Sequence, residues 1–246
     1  MTSSSQVRRS RRESLDSQRI EKAKKERRNK ILFAIAGVII VGAVIGTAIW
    51  GIVSTQNKSG TELPPNNAHG HGIWLAPPVD GLPTLEIYSD YNCGVCASAH
   101  RTLNAVLNEA IEQKKVNVMV ISMSFVAETS RQASIASACA DFQGAFPKFH
   151  DQLFLHASGG LDYEDIDTIV PEAAGLTGDA LTNFSTCLNN QDTGSFVDAE
   201  AAYGAKNKVN ATPAFRLDGV DVREQLFNTN TQTFDPDLMR KLLEMN

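Results

Sequence analysis

Two cysteines three positions apart stand where a strand-like run gives way to a helix-like one, in YSDYNCGVCASAH, residues 88–100. The residues before them, PTLEIYSD, read as a β-strand. From Cys93 to about residue 114, Ala99, Leu103, Val106, Leu107 and Ala110 recur at helical spacing. A thiolate at such a junction meets unpaired backbone N–H groups and the positive end of the helix, which lowers a thiol pKa from about 8.5 to well below neutrality. Cys96, one turn further on and on the same side, is spaced to resolve a mixed disulfide intramolecularly. An exposed first sulfur with a second within reach is what dithiol exchange requires.

The order of elements around this junction predicts an α/β fold. A second β-branched run, VNVMVISMSF at residues 116–125, follows the helix, so strand, helix and strand form a βαβ unit with a parallel pair. From about residue 127 to 207 the pattern is almost wholly helical, in SRQASIASACADFQ, AFPKFHDQLFLHA, YEDIDTIVPEAAG and GDALTNFSTCLNN, with Gly and Asn between the pieces. PAFRLDGVDV then reads as a hairpin turning near Asp218-Gly219, and DPDLMRKLLEM as a last amphipathic helix entered through Pro236.

The other end of the chain has a different character. Residues 1–30 hold 11 Lys/Arg against 4 Asp/Glu, whereas the whole chain carries a net charge of −5. Just downstream, ILFAIAGVIIVGAVIGTAIWGIV, residues 31–53, contains no charge over 23 residues. As a helix it would reach roughly 34 Å, enough for a bilayer core. A cleaved signal peptide is the rival, but its apolar region is shorter and ends in a small-residue site that Val53-Ser54-Thr55 does not offer. The run therefore reads as an uncleaved signal anchor, with the basic tail, residues 1–29, disordered in the cytoplasm and everything after Ser54 outside. RRSRR at residues 8–12 lies too far upstream for a twin-arginine signal and reads as a polybasic segment that sets topology. Residues 54–80, rich in Pro, Gly and Asn, read as a linker whose GIWL can pack on the domain edge, and the folded domain is taken as residues 82–246. His69 and His71 on that linker lack further ligands for a metal. The acidic balance outside the tail argues against nucleic-acid binding.

YSDYNCGVC after a strand, a large helical insertion, and VNATPAFRLDG before a hairpin together resemble the thioredoxin superfamily, in particular its DsbA-like branch of extracytoplasmic thiol:disulfide oxidoreductases. The likeness spans about two thirds of the chain, as three separated features in the right order. It implies a thioredoxin-like fold with an all-helical insertion, here preceded by one transmembrane helix. It implies Cys93 as attacking and Cys96 as resolving cysteine, and Pro213 as a cis-proline facing them. Thr212, Gly94 and Val95 would border an extended substrate segment. No cofactor and no metal is expected. Two positions depart from the branch. Where many relatives carry an acid, six residues before the first cysteine, stands Ile87, with Glu86 on the opposite face of the strand. Between the cysteines stands Gly94-Val95, with no side chain to help hold a thiolate.

Cys139 and Cys187 have no CxxC partner. In an oxidising compartment they are expected to form a structural disulfide, which also resembles some actinobacterial members of the branch; a four-cysteine zinc site is the alternative, though the spacings fit no zinc pattern. His100 reads as a helix-surface residue or a tuner of the thiols, His150 and His156 as packing or surface positions, and Asp90 as a cap of the strand-to-helix turn or a residue that affects substrate access.

The leading expectation is an anchored thiol oxidase in the cell membrane, single-pass, its catalytic domain extracytoplasmic. It would accept electrons from reduced secreted or envelope proteins and be reoxidised by a DsbB-like or VKOR-like membrane partner. The alternatives are a tethered reductase, which Gly94-Val95 leaves open, a dimeric isomerase, and a binding module that keeps its cysteines only as a staple.

Overall fold

The strand that leads into the cysteines lies at the centre of a five-stranded sheet. The computed structural model describes residues 67–245. In it β1 (Ile73–Trp74), β2 (Thr84–Ser89), β3 (Asn117–Ser122), β4 (Ala214–Leu217) and β5 (Val220–Asp221) lie in the order β1-β3-β2-β4-β5. β2 and β3 are parallel and joined through α1 (Gly94–Glu112), the βαβ unit expected. β4 runs antiparallel to β2, with Ile87 opposite Phe215 and Tyr88 opposite Ala214. β4 and β5 form the expected hairpin, and Asp218 and Gly219 in its turn take φ of 48° and 79°. Positive φ at both central residues matches the right-handed twist of the strands they join.

Alternation along β2 divides the core. Leu85 and Ile87 face α1, where Leu103, Val106, Leu107 and Ala110 form the buried stripe read from the sequence, together with Met239 of α8 (Pro236–Leu242). Tyr88 points the other way, among Met119, Ile121 and Met123. Between β3 and β4 the chain forms the helical insertion: α2 (Ser130–Asp141), α3 (Phe146–His156), α4 (Val170–Ala173), α5 (Gly178–Asn190) and α6 (Gly194–Lys206). Its core of Ile135, Phe149, Phe154, Phe184 and Val197 is continuous with Cys96 and Ala97 of α1. Cys139 in α2 and Cys187 in α5 are disulfide-bonded with Cα atoms 5.8 Å apart, so the insertion carries the expected cross-link and those sulfurs are not free for zinc.

Two parts differ from the sequence reading. The GIWL of the linker read over residues 54–80 lies on the domain edge, as expected, but as a strand: Ile73 pairs with Val120 and Trp74 with Met119, making β1 an edge strand of the sheet. Gly72 permits this, since a Cβ there would lie 2.6 Å from the Met119 side chain and 2.9 Å from the Val120 carbonyl. Between β5 and α8, α7 (Arg223–Leu226) and a small sheet of β6 (Phe227–Asn228) and β7 (Thr233–Phe234) were not anticipated. Two-residue strands show no period in sequence. This sheet is held by Phe234 packing on Phe215 and Phe227, with ring centroids 5.3 and 5.4 Å apart. The expected transmembrane segment at 31–53, the expected basic tail at 1–29 and the first part of the linker, residues 54–66, lie outside the described residues. Among the described residues no helix is long and apolar enough to cross a membrane.

Candidate active site

Cys93 is the N-cap of α1, with φ −85° and ψ 111°, and its Sγ accepts the backbone N–H of Cys96 at 3.4 Å. The thiol is also 3.5 Å from the carbonyl oxygen of Thr212, to which it donates when protonated. The Thr212-Pro213 bond is cis and Pro213 is buried, and the Thr212 carbonyl contact puts the loop before β4 against the sulfur. Gly94 and Val95 are exposed, leaving the approach to Cys93 open on that side. Cys96 is buried at 2% exposure, and both cysteines are free thiols.

This arrangement separates the two thiols electrostatically. A hydrogen bond from the Cys96 thiol, then the Thr212 side chain and the N–H groups of Cys96 and Val95, lower the Cys93 pKa to about 5, against the opposing effect of partial burial. The same sulfur-to-sulfur hydrogen bond, together with burial, holds Cys96 far above the usual thiol range. One sulfur is thus a thiolate at neutral pH and its neighbour a proton carrier. Together they suit nucleophilic attack followed by intramolecular resolution.

The turn before Cys93 is anchored by groups that sequence reading weighted little. Asp90 is fully buried, and its carboxylate accepts the N–H of Asn92, the N–H groups of Phe125 and Val126, and the Ser130 hydroxyl. It caps the turn, as expected, and also ties it to the loop after β3 and the start of α2. Asn92 adds a second tie, accepting the N–H of Leu161 at 2.8 Å. Glu86 lies on the far face of β2, as the alternation implied, where it accepts the hydroxyls of Tyr88 and Tyr203. Ile87 faces the cysteine side instead.

Behind Cys96 is a small cavity of about 20 Å³, lined among others by Ser89, Cys96, His100, His150, Phe154 and Pro213. His100 is not a surface residue: its side chain is 11% exposed, its Nε2 lies 3.1 Å from Oδ1 of Asp151, and its ring stacks on Phe154. Its position four residues after Cys96 was the signal available in the sequence. His150 is buried and meets the Tyr91 hydroxyl at 3.0 Å through Nδ1. His156 is partly buried, with Nδ1 2.9 Å from the Gln152 carbonyl. His69 and His71 sit instead against Trp74 and Tyr203 beside β1. No cluster of three or more potential metal ligands occurs among the described residues.

A central β2, a dithiol at its junction with α1 and a cis-proline loop facing the dithiol define a thioredoxin-type redox scaffold. A family model described as Thioredoxin matches residues 80–235, and the chain belongs to that family. Among solved structures, MdbA from Actinomyces oris, a thiol-disulfide oxidoreductase, is similar with a TM-score of 0.62 at 16% identity, covering 76% of this chain and 93% of that one. MdbA from Corynebacterium diphtheriae, also a thiol-disulfide oxidoreductase, has a TM-score of 0.56 at 15% identity, covering 68% and 91%. Reduced DsbA from Mycobacterium tuberculosis has a TM-score of 0.55 at 18% identity, covering 71% and 91%. At such identities the likeness is one of fold. No curated protein matches the sequence significantly.

Proposed function

We propose that this protein is a membrane-anchored thiol-disulfide oxidoreductase that oxidises cysteine pairs in secreted or envelope proteins through Cys93 and Cys96. The observation that carries the reading is the Cys93 thiolate, with its pKa lowered to about 5. Stabilising that thiolate favours the reduced form of the pair over its disulfide, which makes the disulfide an oxidant. In the catalytic step a substrate thiolate attacks Cys93 Sγ of the disulfide and Cys96 departs. The substrate's second thiolate then attacks its own sulfur in the mixed disulfide and releases Cys93. Thr212, Gly94 and Val95 would contact the substrate segment beside the cysteines.

The basic tail and the uncharged run at 31–53 support a single-pass anchor with the catalytic domain outside the cell membrane. The Cys139–Cys187 disulfide supports an oxidising compartment. A DsbB-like or VKOR-like membrane reoxidase would return the pair to its disulfide. The reductase reading has one feature in its favour, the Gly94-Val95 dipeptide, which offers the thiolate no side-chain partner.

The test is the reduction potential of the Cys93–Cys96 couple in the full chain in detergent, equilibrated with glutathione buffers. A value between about −120 and −180 mV supports the oxidase, and one near about −270 mV overturns it in favour of the reductase. In cells, Cys93→Ala should leave secreted cysteine-containing proteins reduced.

A further inference from the structure

Dithiol exchange at this site raises a problem that the two cysteines alone do not solve. Cys96 is buried and strongly held as a thiol, yet it must become a thiolate to attack. Its proton needs an acceptor, and the carboxylates nearest in sequence are engaged elsewhere. Glu86 is on the opposite face of β2 with two tyrosine hydroxyls, and Asp90 holds four donors of the surrounding loops.

What shares a cavity with Cys96 is a pair of imidazoles. His100 stands one helical turn after Cys96 on α1, hence on the same side. Its Nε2 is held by Asp151, whose carboxylate also accepts the Asn104 amide at 3.2 Å. With Nε2–H directed to the carboxylate, Nδ1 is the nitrogen left with a free lone pair. Asp151 is 37% exposed, so the pair links the buried cavity to solvent. A cavity of about 20 Å³ has room for one bridging water. His150 closes the far wall, 5.1 Å from His100 between ring centroids. Burial, and then the neighbouring His100, push its pKa well below the ordinary histidine value, so it stays neutral and does not compete for the proton. Among the described residues the titratable groups facing His100 are Cys96 from its own helix and His150 and Asp151 from α3; β2 adds Ser89 and Ile87, the proline loop Pro213 and β4 Phe215.

We propose that His100 is the proton acceptor and donor for Cys96, acting across this cavity, with Asp151 as its positioning residue. The inference rests on the oxidoreductase reading above. In the reducing direction Cys96 Sγ attacks Cys93 Sγ of a Cys93–S–S–R mixed disulfide. The bond to R breaks, R leaves as a thiolate with the electron pair, the Cys93–Cys96 bond forms, and the Cys96 proton passes to Nδ1 of His100. In the oxidising direction a substrate thiolate breaks the Cys93–Cys96 bond and the same proton returns to the departing Cys96 sulfur. The assignment therefore does not depend on which way electrons flow.

The experiment mixes the reduced full chain in detergent with oxidised glutathione, quenches with acid, and follows the glutathione adduct on the Cys93 peptide by mass spectrometry from pH 5 to 9. His100→Gln should lengthen the adduct's lifetime about a hundredfold near neutral pH relative to its rate of formation. Asp151→Asn, which leaves the cavity wall in place, should lengthen it about tenfold. Free imidazole should shorten the lifetime in His100→Ala in proportion to its concentration, a response that a purely structural role would not give. Lifetimes within twofold of wild type at every pH in both His100→Gln and Asp151→Asn, or no response to imidazole, overturn the proposal. Should His100→Gln not fold, Asp151→Asn decides. A wild type that forms neither the adduct on Cys93 nor the Cys93–Cys96 disulfide overturns the oxidoreductase reading itself.

Discussion

The backbone N–H of Cys96 points at the sulfur of Cys93 from 3.4 Å, because Cys93 stands as the cap of the helix that Cys96 enters. Cap and nucleophile are the same atom. The helix end stabilises the charge that the chemistry needs.

That charge makes the stability of the reduced protein depend on pH. Cys93 has its pKa lowered to about 5 in the folded reduced protein. A lowered pKa stabilises the fold fully above the unfolded thiol value of about 8.5, and the effect is lost as pH falls through the folded value. The disulfide form has no such titration. Reduced protein should therefore melt above oxidised protein at neutral pH, with the gap narrowing as pH falls toward 5. Thiolate absorbance at 240 nm should show a midpoint near pH 5 that Cys93→Ser abolishes.

The Cys139–Cys187 cross-link closes 48 positions between two insertion helices. On the chain-entropy model it is worth about 4 kcal/mol. Replacing both cysteines with Ala should lower unfolding free energy by about that amount in denaturant titrations, while Cys93 remains the site of rapid alkylation.

Asp90 satisfies four donors from within the core, so Asp90→Ala would strand backbone N–H groups at Asn92, Phe125 and Val126 and the Ser130 hydroxyl. A loss of about 3 kcal/mol is expected. Hydrogen exchange should then rise in the loop between β3 and α2 more than in β2.

Glu200 on α6 is buried, with Oε1 accepting the Ser122 N–H and Oε2 unpartnered among the described residues. Burial raises its pKa well above the usual carboxylate range. A raised carboxyl pKa contributes stability at low pH that is lost as pH rises through the folded value. Glu200→Gln should therefore match wild type near pH 4 and exceed it at pH 8, and chemical denaturation at the two pH values checks the sign. Equal stability at both would mean the carboxyl finds a partner in solution.

Much of the architecture was legible because its signals are local. The stripe Ala99, Leu103, Val106, Leu107 and Ala110 repeats at the helical period, and it is the buried face of α1. Asp218-Gly219 marks a turn because few other pairs tolerate positive φ at both positions. β1 and the β6–β7 pair were not legible as strands. Two residues show no alternation, and each pair exists only because a partner is already in position: Val120 and Met119 for β1, and the Phe215 and Phe227 rings that clasp Phe234.

The site divides along the same line. That Cys93 caps a helix and Cys96 lies one turn inside it follows from a spacing of three and the geometry of the backbone, whatever surrounds them. That the carbonyl of Thr212, 119 positions away, meets the Cys93 sulfur, and that Asp151 holds His100 over a cavity shared with Cys96, was decided by packing of the insertion and the β4 loop against α1. Periodicity records which face a residue occupies, but not which distant side chain will be pressed against it, because that depends on how all the buried surfaces fit at once.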